Sequence, residues 1–255
     1  MNAPLKVWFE AEGRLLRLRL NNPKANLIDA SMIAALDAAL AAHAGSPQLA
    51  AVLLDSEGPH FSFGASVAEH LPGKCAELLA RLHGLIVRML ESPVTILVAV
   101  HGRCLGGGLE VALAGHLLFV SPDAHLGQPE TKLGVFAPAA SCLLPEIIGP
   151  QRAFDLLVSG RSITGAEAAA LGIAHETVPE PEQAALRFFH EHLQPKSATT
   201  LRFAVQAARL EYVARVKAKM GAVERLYLEE LMATRDAVEG LEAFIAKRPA
   251  IWEHR

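Results

Sequence analysis

The sequence predicts an α/β core followed by a helical tail. Three observations carry that fold class. Short, continuous apolar runs alternate with helical apolar stripes through the first hundred residues. Such runs read as strands buried on both faces, which requires helices on either side of a sheet. Beyond residue 145 strand signals thin out, and from Ala198 to Arg248 the chain reads almost wholly as helix.

The elements follow in order. Leu16-Arg17-Leu18-Arg19-Leu20 alternates with period two and reads as a half-buried strand, ended by Asn21-Asn22-Pro23. From Asp29 to Ala44, Met32, Ile33, Leu36 and Leu40 form a helical stripe. Leu49 to Leu54 is an apolar run ahead of Asp55 and the turn Ser56-Glu57-Gly58-Pro59. Residues 76–90 place Leu79, Leu82, Ile86 and Leu90 on one helical face; Pro93 closes that helix, and Val94 to Val100 reads as a buried strand. Thr164-Gly165-Ala166-Glu167 is a capping box before a short helix that Gly172 stops. Two regions are expected, 1–195 as the α/β core and 196–255 as a helical region that must bury its apolar stripes on the core or on a neighbour.

Composition removes several function classes. With 255 residues, 51% hydrophobic and 20% charged, the chain can bury a core and is not disordered. Lys and Arg number 24 against 27 Asp and Glu, so neither nucleic acid nor an acidic membrane is an expected partner. Aromatics at 5% are too few for a single-strand stacking platform. Cys75, Cys104 and Cys142 are far apart and form no CxxC pair, so reduced thiols in a cytoplasmic protein are expected. Met1-Asn2-Ala3-Pro4-Leu5-Lys6 lacks the apolar region of a signal peptide, and no apolar run reaches the roughly 18 residues of a membrane span.

The densest chemistry is His101-Gly102-Arg103-Cys104-Leu105-Gly106-Gly107-Gly108-Leu109-Glu110, set between a predicted buried strand and a predicted helix. Three glycines allow close approach to the backbone, and the first N–H groups of the helix have no partner inside it. Such an N–H is a good donor to a developing oxyanion. A phosphate loop would place Lys and Ser or Thr where Leu109 and Glu110 stand, and the glycine spacing is wrong for a dinucleotide fingerprint. A tight strand-to-helix crossing without a ligand is the simpler alternative. Glu110 also suits the dipole of its helix. Glu130, in Leu126-Gly127-Gln128-Pro129-Glu130, reads alone as a turn carboxylate, and spacing does not bring the two together. Phe61-Ser62-Phe63-Gly64-Ala65-Ser66 is a small-residue loop able to offer a second backbone N–H. It only half matches a nucleophile elbow, because the last glycine is missing. His190-Glu191-His192 lacks the spacing of a zinc site.

Taken together these segments resemble the crotonase, or enoyl-CoA hydratase/isomerase, superfamily. The match runs over essentially the whole chain, through Val98 to Ala114, Leu126 to Gly134, Ser159-Gly160-Arg161-Ser162-Ile163, Ala166 to Gly172 and Glu239 to Pro249. The resemblance implies an α/β fold of the crotonase (ClpP-like) type, a spiral of ββα units whose C-terminal helical region packs trimers, often paired into hexamers. It implies an acyl-CoA substrate with no further cofactor, CoA entering only as part of the substrate. It assigns the thioester oxygen to the N–H groups of Ala65 and Gly107, and the catalytic carboxylates to Glu110 and Glu130. It places Asn26, Leu27, Phe244 and Lys247 along the CoA. Glu110 would activate water and Glu130 handle the carbon-bound proton, although two coupled carboxylates sharing a proton leave the order of acid and base open.

Two stretches depart from the chain-shortening hydratases. Those carry Ala-Gly-Ala-Asp where this chain has Phe63-Gly64-Ala65-Ser66, and Pro-Gly-Ala-Gly-Gly-Thr where it has Phe136-Ala137-Pro138-Ala139-Ala140-Ser141-Cys142. Phe63, Ser66, Phe136 and Ala139 are therefore expected around the acyl group, and the two phenylalanines suit a flat ring. The pattern is similar to the subgroup that hydrates cyclic dienoyl-CoA thioesters in anaerobic aromatic degradation. A hydratase or isomerase for linear acyl chains is the alternative. An RNA-binding or scaffold member would need a basic helix face, and no Lys/Arg run supplies one.

Overall fold

The computed structural model describes residues 3–43 and 45–255; Met1 and Asn2 of the N-terminal reading, and Ala44 of the first helix, lie outside them. In chain order the elements are β1 (Leu5–Glu10), β2 (Leu15–Leu20), α1 (Ala30–His43), β3 (Ala51–Ser56), α2 (Cys75–Leu90), β4 (Thr95–Val100), β5 (Arg103–Leu105), α3 (Gly107–Ala114), β6 (Leu117–Val120) and β7 (His125–Gly127). Then come α4 (Pro138–Ile148), α5 (Pro150–Ser159), β8 (Ser162–Thr164), α6 (Gly165–Leu171), β9 (Glu176–Thr177), α7 (Pro181–Phe188), α8 (Ala198–Arg225) and α9 (Arg235–Ile245).

The strands divide between two sheets. The larger runs β1-β2-β3-β4-β6-β9, antiparallel only between β1 and β2, and the smaller runs β5-β7-β8. Successive passes place one strand in the large sheet, the next in the small one, and then a helix: β4, β5, α3, and again β6, β7, α4. In an earlier pass β3 leads to Ser62, which bridges Cys104 of β5, and then to α2. This repetition is the ββα spiral.

Period-two alternation sorts the large sheet into two cores. Leu16, Leu18, Val52, Leu54, Ile96 and Val98 face the side covered by α1, α2 and α3. Leu15, Ala51, Leu53, Leu97, Ala99 and Phe119 face α7 and the turn after it. Both β3 and β4 are buried along their full length, as their apolar runs predict. The α1 stripe is buried as well, and Asp29 Oδ1 accepts the Met32 N–H at 2.9 Å to start that helix.

The half-buried reading of β2 needs correction. Arg17 is only 2% exposed. Its guanidinium donates to Asp55 at 2.5 Å, Glu10 at 2.8 Å and Glu182 at 2.5 Å, and it lies 4.9 Å from the Trp8 ring. Arg19 donates to the same Asp55 at 2.6 and 2.8 Å. Asp55→Ala is expected to lower unfolding stability by about 3 kcal/mol in urea titrations, because Arg17 stays buried without its buried partner; a loss below about 1 kcal/mol would contradict this.

The tail divides its apolar residues. Val216 and Met220 of α8 join the main core, whereas Phe203 and Leu210 are 67% and 74% exposed. All three cysteines are free and buried. Among the described residues no helix is long and apolar enough to cross a membrane.

Candidate active site

The glycine run turns the chain from β5 into α3, and each glycine lies against a different neighbour. A Cβ on Gly106 would stand 2.6 Å from Glu130 Oε1; one on Gly107 would stand 3.1 Å from Ala65 Cβ; one on Gly108 would stand 2.5 Å from Ser62 Cβ. The glycines thus admit the 61–65 loop and Glu130 to the start of α3, an intramolecular approach that composition alone did not reveal. Gly106 also has φ +49, in the left-handed region that favours glycine.

The 61–65 loop is fixed by its backbone. Ser62 N donates to Arg103 O and Leu105 N to Ser62 O, both at 3.0 Å, so the loop extends the small sheet. Ser62 Oγ donates to Asn26 O at 2.7 Å and accepts Gly64 N–H at 3.1 Å. Ala65 and Gly107 are thereby brought side by side, and among the described residues neither N–H has an acceptor. Two unpartnered N–H groups at one place form a preorganised site for a negative oxygen.

Both lie on a cavity of about 480 Å³ that Glu110 and Glu130 also line. Glu110 is 3% exposed and its Oε1 accepts Ala140 N–H at 2.8 Å. Burial pushes its carboxyl up, opposed by the Ala140 and Ala139 N–H groups at the start of α4 and by His83. Burial and the charge of Glu110 push Glu130 up to about 8. The Gln128 amide is assigned with its nitrogen toward Glu130, since the reverse sets oxygen against oxygen; it then donates to both carboxylate oxygens at 3.1 Å. Two coupled carboxyls in one cavity can hold one proton between them, with Glu110 the better placed to ionise and Glu130 to carry the proton.

The remaining walls are mainly apolar. Leu79 and Leu82 come from α2, Val135 and Phe136 from the approach to α4, and Leu241 and Phe244 from α9. Phe136 stacks edge-on against buried Tyr227 at 5.2 Å. Phe63 lines the cavity but is 40% exposed, with the Arg103 guanidinium 5.9 Å from its ring centre. It borders the opening and does not wall the interior.

Five other expected residues do not line the cavity. Ser66 begins a single helical turn, and its carbonyl accepts Glu69 N–H and the His70 ring, so Ala65 faces the site in its place. Ala139 is wholly buried in the core, contributing backbone only near Glu110. Asn26 is 1% exposed; its amide donates to Glu57 O at 2.9 Å and His60 O at 3.0 Å and accepts Asn22 N–H at 2.9 Å. That side chain pins neighbouring loops together. Leu27 is partly buried beside it, and Lys247 is exposed just beyond α9, with φ +53.

Sequence reading missed Gln128, His70, Arg103 and Lys132. The last three line the cavity. Burial holds the His70 ring below its ordinary range, and it bonds Ser66 O at 2.9 Å. Gln128 stood in the quoted motif two residues before Glu130, and its burial was the missing signal. Among the described residues no group of three or more His, Cys, Asp or Glu could hold a metal ion.

Residues 10–255 match the model of the family described as enoyl-CoA hydratase/isomerase. The chain belongs to the enoyl-CoA hydratase/isomerase family. Within it, this family member is 63% identical over 254 residues to a cyclohexa-1,5-dienecarbonyl-CoA hydratase of Thauera aromatica, covering 100% of this chain and 98% of that one. It is 32% identical over 238 residues to a probable enoyl-CoA hydratase of Bacillus subtilis (strain 168), covering 91% and 92%. Among solved structures, an enoyl-CoA hydratase from Bacillus halodurans superposes with a TM-score of 0.86 at 21% identity, covering 94% of this chain and 99% of that chain. That likeness shows the crotonase fold, with the helical C-terminal region included.

Proposed function

We propose that this family member adds water to cyclohexa-1,5-diene-1-carbonyl-CoA, giving 6-hydroxycyclohex-1-ene-1-carbonyl-CoA. The observation that carries the chemistry is the meeting of two unpartnered N–H groups and two glutamates on one apolar cavity. The 63% identity to the Thauera aromatica hydratase supports the ring substrate.

The thioester oxygen sits on Ala65 and Gly107, where charge develops as an enolate forms. Glu110 takes a proton from water as its oxygen bonds to the ring carbon next to the one bearing the thioester. The electron pair of that double bond moves toward the thioester and is relayed through the second double bond. Glu130 delivers its proton to the far end of the diene, leaving one double bond conjugated to the thioester. The oxidation level is unchanged overall, so the reaction asks for no redox cofactor, and CoA is present as part of the substrate. Phe136 and the aliphatic walls hold the ring, while Arg103, Lys132 and Lys247 meet the phosphates of CoA. The exposed Phe203 and Leu210 support self-association as a trimer or hexamer, and the buried free thiols suit the cytoplasm.

Purified protein should hydrate the cyclic dienoyl-CoA much faster than crotonyl-CoA; a preference for crotonyl-CoA would sink the ring assignment in favour of a linear-chain hydratase. The hydration rate should also fall on the alkaline side with a midpoint near 8, as Glu130 loses the proton it must donate. Stability follows the same sign. Folded Glu130 binds its proton more tightly than the ordinary carboxyl at 4.5, so its contribution is full below 4.5 and is lost as pH rises through about 8. A rate that keeps rising past that range would contradict the assignment of Glu130 as the acid.

A further inference from the structure

We propose that Tyr227 is a positioning residue for substrate specificity: its ring holds Phe136 as a partition that limits the acyl pocket to the depth of a single ring. The inference rests on the reading of the cavity beside Glu110 and Glu130 as the acyl pocket.

Phe136 has open space on two sides. It lines the catalytic cavity, and it also lines a second cavity of about 350 Å³ bounded by Gly134, Leu231, Trp252 and His254. Val135 and Phe136 are the residues common to both. Val135 is buried, whereas Phe136 is only partly so, which leaves Phe136 as the side chain with room to turn. The second cavity reaches the surface, since His254 and Trp252 are exposed. A phenylalanine with a void on either face can change rotamer unless a neighbour prevents it. Turned toward Trp252, it would join the two spaces and admit an acyl group longer than one ring.

Tyr227 is the neighbour that prevents it. It sits in the wide π-helical turn Leu226–Glu230 that continues α8, a kind of turn frequent at functional sites. It is wholly buried and packs with Leu79, Val135 and Leu241, all three of which line the catalytic cavity. Its ring meets Phe136 edge-on, with 5.2 Å between centres and 70° between planes, an arrangement that aromatic pairs prefer. Among the described residues Phe136 has no other ring contact. The Tyr227 hydroxyl is buried without a partner among the described residues, so the ring and not the hydroxyl carries the contact. An unpaired buried hydroxyl destabilises, and removing it should cost nothing.

The test uses Phe136→Ala, Tyr227→Met and Tyr227→Phe in the full-length protein. For each, kcat/KM is measured on the cyclic dienoyl-CoA and on linear 2-enoyl-CoA thioesters from crotonyl to decenoyl. Phe136→Ala removes the partition, so decenoyl-CoA should gain about tenfold relative to crotonyl-CoA while the cyclic substrate loses. Tyr227→Met should shift the length profile the same way by about threefold or more, and add nothing further in the Phe136→Ala background. A merely structural loss would lower every substrate alike. Tyr227→Phe keeps the ring, so it should retain the parental profile and melt no lower than the parent. A parental length profile in Phe136→Ala or in Tyr227→Met overturns the proposal, as does a Tyr227→Phe that behaves like Tyr227→Met. Independently of folding in the variants, NMR of the parent with a cyclic acyl-CoA bound should show cross-relaxation between the Phe136 and Tyr227 rings; its absence also overturns the proposal. A parent that prefers crotonyl-CoA to the cyclic substrate defeats the ring reading, whereas the shift in length profile still decides the role of Tyr227.

Discussion

Glu110→Gln lowers kcat for hydration by about two to four decades and leaves KM within a few-fold. The amide oxygen still accepts the Ala140 N–H, so the side chain stays in place and α3 keeps its packing. What disappears is a group able to take a proton from water. The substitution also removes the negative charge that helps to push Glu130 up to about 8, so a carbon-13 titration of Glu130 should show its midpoint falling toward the ordinary carboxyl range. Glu130→Gln is expected to lose activity over the same range, through the missing proton donor. If both variants keep the parental kcat, hydration does not run through these carboxylates.

Gly106→Ala is the second large effect, about a hundredfold in kcat, and it arises from crowding at the carboxylate. The new Cβ would lie 2.6 Å from Glu130 Oε1, so the carboxylate must leave the position in which Gln128 holds it. The positive φ adds backbone strain of about 1 kcal/mol. Gly73→Ala separates the two causes. Gly73 has φ +86 and, among the described residues, no atom within 4 Å of an added Cβ, so it carries the strain without the collision. Thermal melts should move for both variants and turnover only for Gly106→Ala. Equal turnover in the two would mean that the Glu130 position is not what Gly106 protects.

Long periodic elements were legible in the sequence. The Met32, Ile33, Leu36 and Leu40 stripe and the Val94–Val100 run each announce a buried face over enough residues to be distinct. β1 was not legible, because it is an edge strand whose Val7 and Phe9 stay more than two-fifths exposed. β5, β7 and β8 have three residues each, too few to show a period. In the site, the glycine cluster marked the place but not the neighbours each glycine admits, since those come from Glu130 and the 61–65 loop. Asn26 was expected along the CoA; its amide is committed to three backbone groups, a fact of tertiary structure with no local signature.

The most direct measurement is a crystal structure with a cyclic acyl-CoA bound. The thioester oxygen is expected within hydrogen-bond distance of the Ala65 and Gly107 N–H groups, with the ring against Phe136 and both glutamates on one side of it. A thioester oxygen bound elsewhere, or a ring lying away from Glu110 and Glu130, would contradict it.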